Sequence, residues 1–137
     1  MSPLAWAVLP LKRYADFSGR SCRAEFWWFS AFQWFGLIAL VVIAVWVAGD
    51  SKDSNPFFAA FIVPFGIGFI GLIIPNLAVH VRRLHDQDRS GWMILLFNIP
   101  YIGGLLWLVF MCLPGTRGPN RFGSDPRASD SLEEIFA

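Results

Sequence analysis

The groups best suited to chemistry are crowded into one run, Val81-Arg82-Arg83-Leu84-His85-Asp86-Gln87-Asp88-Arg89-Ser90-Gly91-Trp92. A histidine beside carboxylates is the raw material for a metal site or for acid–base work. A metal needs three or four convergent ligands, and here Arg82, Arg83 and Arg89 compete for the same carboxylates. A salt-bridge network among His85, Asp86, Asp88 and the arginines is therefore the expected role. No Ser/His/Asp order, cysteine nucleophile motif or phosphate-cradling glycine loop is present. No catalytic residue, metal ligand or cofactor is assigned.

The arginines suggest a second chemistry, the recognition of anions. Guanidinium binds carboxylate or phosphate oxygens in a two-pronged fork, so Arg20, Arg23, Arg82, Arg83, Arg89 and Arg121 together could hold an anionic lipid head group. The plainer reading of the same residues is positive-inside topology. A third feature is a polar stripe. Asn76, His80, Arg83 and Gln87 are spaced by four, three and four, which places them on one helical face. Arg82 and Asp86 form an i, i+4 pair on a neighbouring face. Polar residues within apolar segments turn toward other protein, because lipid offers them no partner. Ser30 and Gln33 in the first segment and Asn98 and Tyr101 in the third are the expected partners, around a vestibule open to one side, with Glu25 in the ionic network above it. Interhelical hydrogen bonds that merely hold the bundle together would account for the same pattern.

The elements that carry these groups are long and apolar. Residues 57–79 and 91–113 flank the charged run without a single charged side chain, and residues 26–48 form a third such stretch. At ~1.5 Å per residue, 23 residues reach about 34 Å, enough to cross a bilayer. Only 15% of the chain is charged, against about 25% in soluble domains. A net charge of +1 argues against a nucleic-acid partner. Cys22 and Cys112 have neither metal spacing nor a disulfide framework. The apolar start precedes its basic residues, the reverse of a signal peptide.

The expected organisation is a single all-α integral membrane domain, a bundle of three transmembrane helices with an interfacial N-terminus. Residues 1–25 lie at the surface, 26–48, 57–81 and 91–113 cross, and 114–137 form a polar, turn-rich tail. Gly19 reads as a break and Ser18 or Ser21 as the cap of the first crossing. Asn55-Pro56 reads as cap and first residue of the second. The third segment is interrupted at Asn98-Ile99-Pro100-Tyr101-Ile102-Gly103-Gly104, so it either kinks or re-enters. A re-entrant path gives the better charge asymmetry. It also leaves polar backbone within the bilayer, and that cost favours a kinked full crossing with the tail outside.

Three motifs, in order, give the chain a family resemblance. The first is Leu11-Lys12-Arg13-Tyr14-Ala15-Asp16-Phe17-Ser18-Gly19-Arg20 with Arg23-Ala24-Glu25-Phe26-Trp27. The second is Arg82-Arg83-Leu84-His85-Asp86 with Arg89-Ser90-Gly91-Trp92. The third is Pro114-Gly115-Thr116 with Gly118-Pro119-Asn120-Arg121-Phe122-Gly123 and Asp125-Pro126. With them the sequence resembles the bacterial inner-membrane family called domain of unknown function 805, the YhaH-like proteins. It departs at Cys22, where a small or basic residue is usual, and at Arg117, often proline. The resemblance implies a small multi-pass protein of the bacterial inner membrane and supplies no reaction. The expected function is that of a non-enzymatic membrane component. It would recognise an anionic lipid, or a membrane-protein partner including copies of itself, through an arginine-rich cytoplasmic face. An enzyme acting on a lipid head group and a transporter or channel subunit are the alternatives.

Overall fold

Ser2 opens the first helix, α1 (Pro3–Lys12). Its side chain accepts a hydrogen bond from Ala5 N–H at 3.3 Å, and Pro3 sits where no N–H is needed. The structure, a computed structural model, describes residues 2–50 and 58–127. Pro10 lies inside α1 without ending it, and it is buried with Trp6 and Ala7. The N-terminal segment therefore packs on the next helix.

The connection to that helix is tied locally. Asp16 pairs with Arg13 at 2.7 Å and accepts from the Ser18 N–H at 3.0 Å and from the Ser18 hydroxyl. The Ser18 hydroxyl first, and then Arg13, hold the Asp16 carboxyl at about 2. Gly19 turns the chain in the left-handed region, with φ of 76°. Helix α2 (Arg23–Asp50) begins after Cys22. Neither Ser18 nor Ser21 is thus the residue before its first turn. Ser18 is committed to Asp16, and Ser21 donates its N–H to Arg82 O at 3.1 Å.

After residues 51–57, where the expected Asn55-Pro56 cap lies outside the described residues, a π-helical turn (Phe58–Ile62) runs into α3 (Val63–Asp86). Pro75 sits within α3 and has no N–H to offer the Gly71 carbonyl one turn back. The Tyr14 hydroxyl takes that place, donating to Gly71 O at 2.7 Å. The freed backbone group is thereby satisfied from another part of the chain, as a low-dielectric setting demands.

Two stretches, Arg23–Gly49 and Ala60–Asp86, are each 27 residues long and contain an apolar run long enough to cross a membrane. At ~1.5 Å per residue each is about 40 Å long, more than the ~30 Å hydrocarbon core. Their surfaces face outward: Trp46 is 75% exposed and Phe35 and Ile70 are each 70% exposed. Water would not tolerate so continuous an apolar surface, whereas lipid would. The buried core is small and sits at one end, where Phe26, Phe29, Val79, Leu84 and Met111 meet.

The third apolar segment, expected to be kinked or re-entrant, does not form a third full-length helix, so the structure leaves two helices long enough to cross among the described residues. It folds as a 3₁₀ helix (Gly91–Asn98), a tight turn, and α4 (Gly103–Cys112). Pro100 cannot donate to a continuing helix, and Tyr101 adopts φ of 67°. Gly103 then lets the returning backbone pass so close to Phe97 that a Cβ would overlap its carbonyl. The arms run back against each other, with the Phe97 and Phe110 rings 6.0 Å apart. Each arm reaches about 15 Å, half the hydrocarbon thickness. The hairpin brings the tail back to its starting point, where Thr116 N–H donates to Asp86 O at 2.8 Å.

Candidate functional site

The C-terminal end of α3 exposes carbonyls that no further helical turn can satisfy. Both flanking motifs supply the missing donors. Asp86 O accepts from the Thr116 N–H and from its hydroxyl at 3.1 Å, and His85 O accepts from Asn120 Nδ2 at 2.9 Å. The end of α4 is completed in the same way. Phe110 O accepts from Gln87 Nε2, Cys112 O from Arg23 at 3.4 Å, and Leu113 O from Arg83. Cationic donors at a helix C-terminus also oppose its dipole.

Asp86 is the centre of this junction. One carboxylate oxygen takes Arg20, with Nε at 3.0 Å and Nη2 at 2.9 Å, and the other takes Arg83 Nη1 at 2.6 Å. Arg20 reaches onward to Gly118 O and Thr116 O, both at 2.5 Å, and so clamps the tail to α3. There is no room beside this carboxylate, since a Cβ at Gly115 would overlap it. A second pair lies deeper under α1, with Arg82 Nη2 3.0 Å from Glu25 Oε1. The side chains in both groups are at most 2% exposed. The Arg82–Asp86 pair expected from i, i+4 spacing does not form: Arg82 turns to α2, and Asp86 takes Arg83 from its own helix and Arg20 from the loop.

The polar stripe of α3 faces protein at all four positions. Asn76 and Gln33 exchange amide hydrogen bonds of 3.1 and 3.2 Å, linking α3 to α2. His80 lies between the Asn76 carbonyl, 2.7 Å from Nδ1, and the Trp107 indole N–H, 2.8 Å from Nε2. An indole can only donate and a carbonyl can only accept, so the ring is the neutral Nδ1–H tautomer. Arg83 and Gln87 complete the stripe by capping α4. Asn98 does not join it: the side chain is exposed and donates to its own Ile94 O at 3.5 Å. Tyr101 is fully exposed at the hairpin tip, and Ser30 bonds its own Phe26 O.

His85 is stacked flat on Phe122, with ring centroids 3.9 Å apart, and its Nδ1 is 3.3 Å from Gly19 O. Gly91 packs over it, where a Cβ would lie 2.7 Å from Val81 Cγ1. Asp88, at φ of 57°, pairs with Arg121 at 3.1 Å in the open. Among the described residues no cluster of three or more His, Cys, Asp or Glu could hold a metal ion.

The six arginines thus divide. Arg20, Arg82 and Arg83 are buried on carboxylates, while Arg23, Arg89 and Arg121 are exposed. Arg89 lies over the Phe110 ring at 4.7 Å. Arg23 borders a cleft of about 400 Å³ shared with Ala24, Trp27, Trp28 and Cys112. Cys22, just before α2, is buried, and burial pushes its thiol up. The tail's structural part has only one local signal in the sequence, the density of turn-forming residues from Pro114 to Pro126.

The family described as "Protein of unknown function (DUF805)" matches residues 14–124. Inner membrane protein YhaI of Escherichia coli K12 is 37% identical over 124 residues, covering 90% of this chain and 97% of its own. Inner membrane protein YhaH of the same organism is 38% identical over 122 residues, 89% and 96% of the two chains. The uncharacterized protein YiiR, also of that organism, is 30% identical over 135 residues, covering 80% and 85%. No solved structure matches the chain.

Proposed function

The chain belongs to the DUF805 family, and from that premise we propose that it is an inner-membrane protein with two crossings and one re-entrant hairpin, whose knotted end faces the cytoplasm and recognises an anionic lipid. The topology follows from charge. With the N-terminus, the central loop and the tail on one side, ten of the eleven lysines and arginines share it, all but Lys52. That asymmetry is what the positive-inside rule favours. The backbone cost that argued against re-entry is reduced by hydrogen bonds within the turn itself, from Ile99 N–H to Leu96 O, Ile102 N–H to Pro100 O and Gly103 N–H to Ile99 O.

The observation that carries the lipid reading is the state of Arg23. It is exposed at the interfacial end of a spanning helix, with no carboxylate partner among the described residues, in a cleft walled by Trp27 and Trp28. A guanidinium flanked by indoles at that depth suits a phosphate beneath the head-group layer. Arg89, held against Phe110 on the other flank of α4, is the second cation available. Arg20, Arg82 and Arg83 are left out of the binding role because their charges are already matched, so they act as scaffold. The non-enzymatic reading rests on the same economy: both oxygens of Asp86 are engaged, and His85 is stacked and hemmed in.

The test is a melting-temperature titration with cardiolipin or phosphatidylglycerol against phosphatidylcholine. Anionic lipid should raise the transition of the unaltered protein, and Arg23→Gln with Arg89→Gln should abolish the rise. A rise that persists in the double variant would reduce the effect to general charge attraction and end this reading.

A further inference from the structure

Between α2 and α3, deeper than the arginines, lies a cleft of about 870 Å³. Its size is within the ~300–1,000 Å³ of small-molecule sites, and its walls have their usual make-up, mostly apolar with a few converging polar groups. Trp27, Trp34, Phe65, Phe69 and Trp107 supply aromatic surface. The polar groups are Ser30, Gln33, Asn76 and His80. The two helices leave the cleft open because small residues face it: a Cβ at Gly36 or Gly68 would meet nothing within 4 Å.

The hydrogen-bonding capacity left over defines the occupant. Asn76 Nδ2 uses one hydrogen on Leu72 O at 2.8 Å and the other on Gln33. His80 has both nitrogens engaged, Trp107 spends its N–H on His80, and the Ser30 hydroxyl donates to Phe26 O. The donors that remain are the second amide N–H of Gln33 and the indole N–H groups of Trp27 and Trp34, none with a partner among the described residues, whereas the amide oxygens of Gln33 and Asn76 each already accept one hydrogen bond. A donor left unmatched in an apolar medium is costly. Among the described residues no lysine or arginine lines the cleft, so nothing there answers a phosphate.

We propose that this cleft binds an uncharged lipid whose head only accepts hydrogen bonds, of the quinone class: a flat ring with carbonyl oxygens on a hydrocarbon tail. The head lies against the aromatic wall and a carbonyl accepts the free Gln33 N–H, while the tail follows Gly68 toward the opposite leaflet. Gln33 is ten residues into α2, about 15 Å below Arg23. The Arg23 cleft shares one wall residue with it, Trp27, and neither reading depends on the other.

The probe is decylubiquinone, titrated into the full chain in detergent and followed by tryptophan quenching and melting temperature, with decylbenzene as the carbonyl-free comparison. Saturable binding at one per chain is expected. Gly68→Phe, which fills the cleft where there is space for it, should weaken both probes at least about tenfold with the fold retained. Gln33→Leu should weaken decylubiquinone by up to about tenfold, the loss for one hydrogen bond, and leave decylbenzene unchanged. Undiminished quinone binding in Gly68→Phe would overturn the site. So would equal weakening of both probes by Gln33→Leu. Efficient disulfide cross-linking of Phe69→Cys between copies in native membranes, blocked by no quinone, would assign the cleft to a second chain instead.

Discussion

Replacing Asp86 by asparagine should damage this protein more than any other single loss of a charge. The carboxylate stands between Arg20 and Arg83, with contacts of 2.6 to 3.0 Å, and all three side chains are at most 2% exposed. An asparagine can still accept from one guanidinium, but its NH₂ then faces the other, leaving two buried cations with no counter-charge. Breaking a buried ion pair by removing one partner costs about 3–5 kcal/mol. At roughly 3 °C per kcal/mol, the melting temperature in detergent should fall by about 10 °C or more. Asp88→Asn is the comparison, because its pair with Arg121 is 60% and 46% exposed. An exposed pair is worth about 0–1 kcal/mol, so that variant should melt within a few degrees of the unaltered protein. The tail should also loosen in Asp86→Asn, since Arg20 loses the anchor from which it holds Thr116 O and Gly118 O. Equal melting temperatures for the two variants would refute the junction as the feature that holds the fold together.

Thiol labelling should separate the two cysteines: Cys112 is exposed and Cys22 is buried with its thiol pushed up. N-ethylmaleimide on the folded protein at neutral pH should modify Cys112 alone, as mass spectrometry of the fragments would show. Acid should weaken the link between α1 and α2. The Asp16 carboxyl is held at about 2, below its ordinary 3.8, so the stability it contributes is present above pH ~4 and is lost as pH falls toward 2. Asp16→Asn should remove that part of the acid dependence of melting, and an unchanged profile between pH 4 and 2 would count against the Ser18–Asp16–Arg13 cluster.

Much of α3 could be read from its sequence because its instructions are local. Spacings of four, three and four put Asn76, His80, Arg83 and Gln87 on one face, and all four turn out to bond other parts of the protein. Of the partners expected from the other segments, Gln33 pairs with Asn76 whereas Asn98 bonds its own helix. Arg82 was harder to place, because the i, i+4 partner is a weak attraction beside a buried Glu25 on another helix. The third segment was misleading for a different reason. Twenty-three uncharged residues have the length of a crossing, and membrane helices tolerate Pro and Gly, so length and composition do not separate a kink from a hairpin. What decides it is non-local: the carbonyls at the end of α3 need donors, and Thr116 and Asn120 can serve only if the chain returns. No window of the sequence contains both halves of that requirement. The same holds for the cleft between α2 and α3, whose width depends on how Gly36 and Gly68 come to face each other's helix.

The central claim is that the three charged motifs share one side of the membrane, with the third apolar segment entering and returning. Its most direct test is cysteine accessibility in cells. In a background with Cys22 and Cys112 replaced, Ser124→Cys reports on the tail and Ser54→Cys on the connection between the two long helices. With an impermeant maleimide on intact spheroplasts, position 54 should label and position 124 should label only after lysis. Labelling of both positions on intact spheroplasts would mean that the tail lies outside and that the segment crosses, contradicting the account.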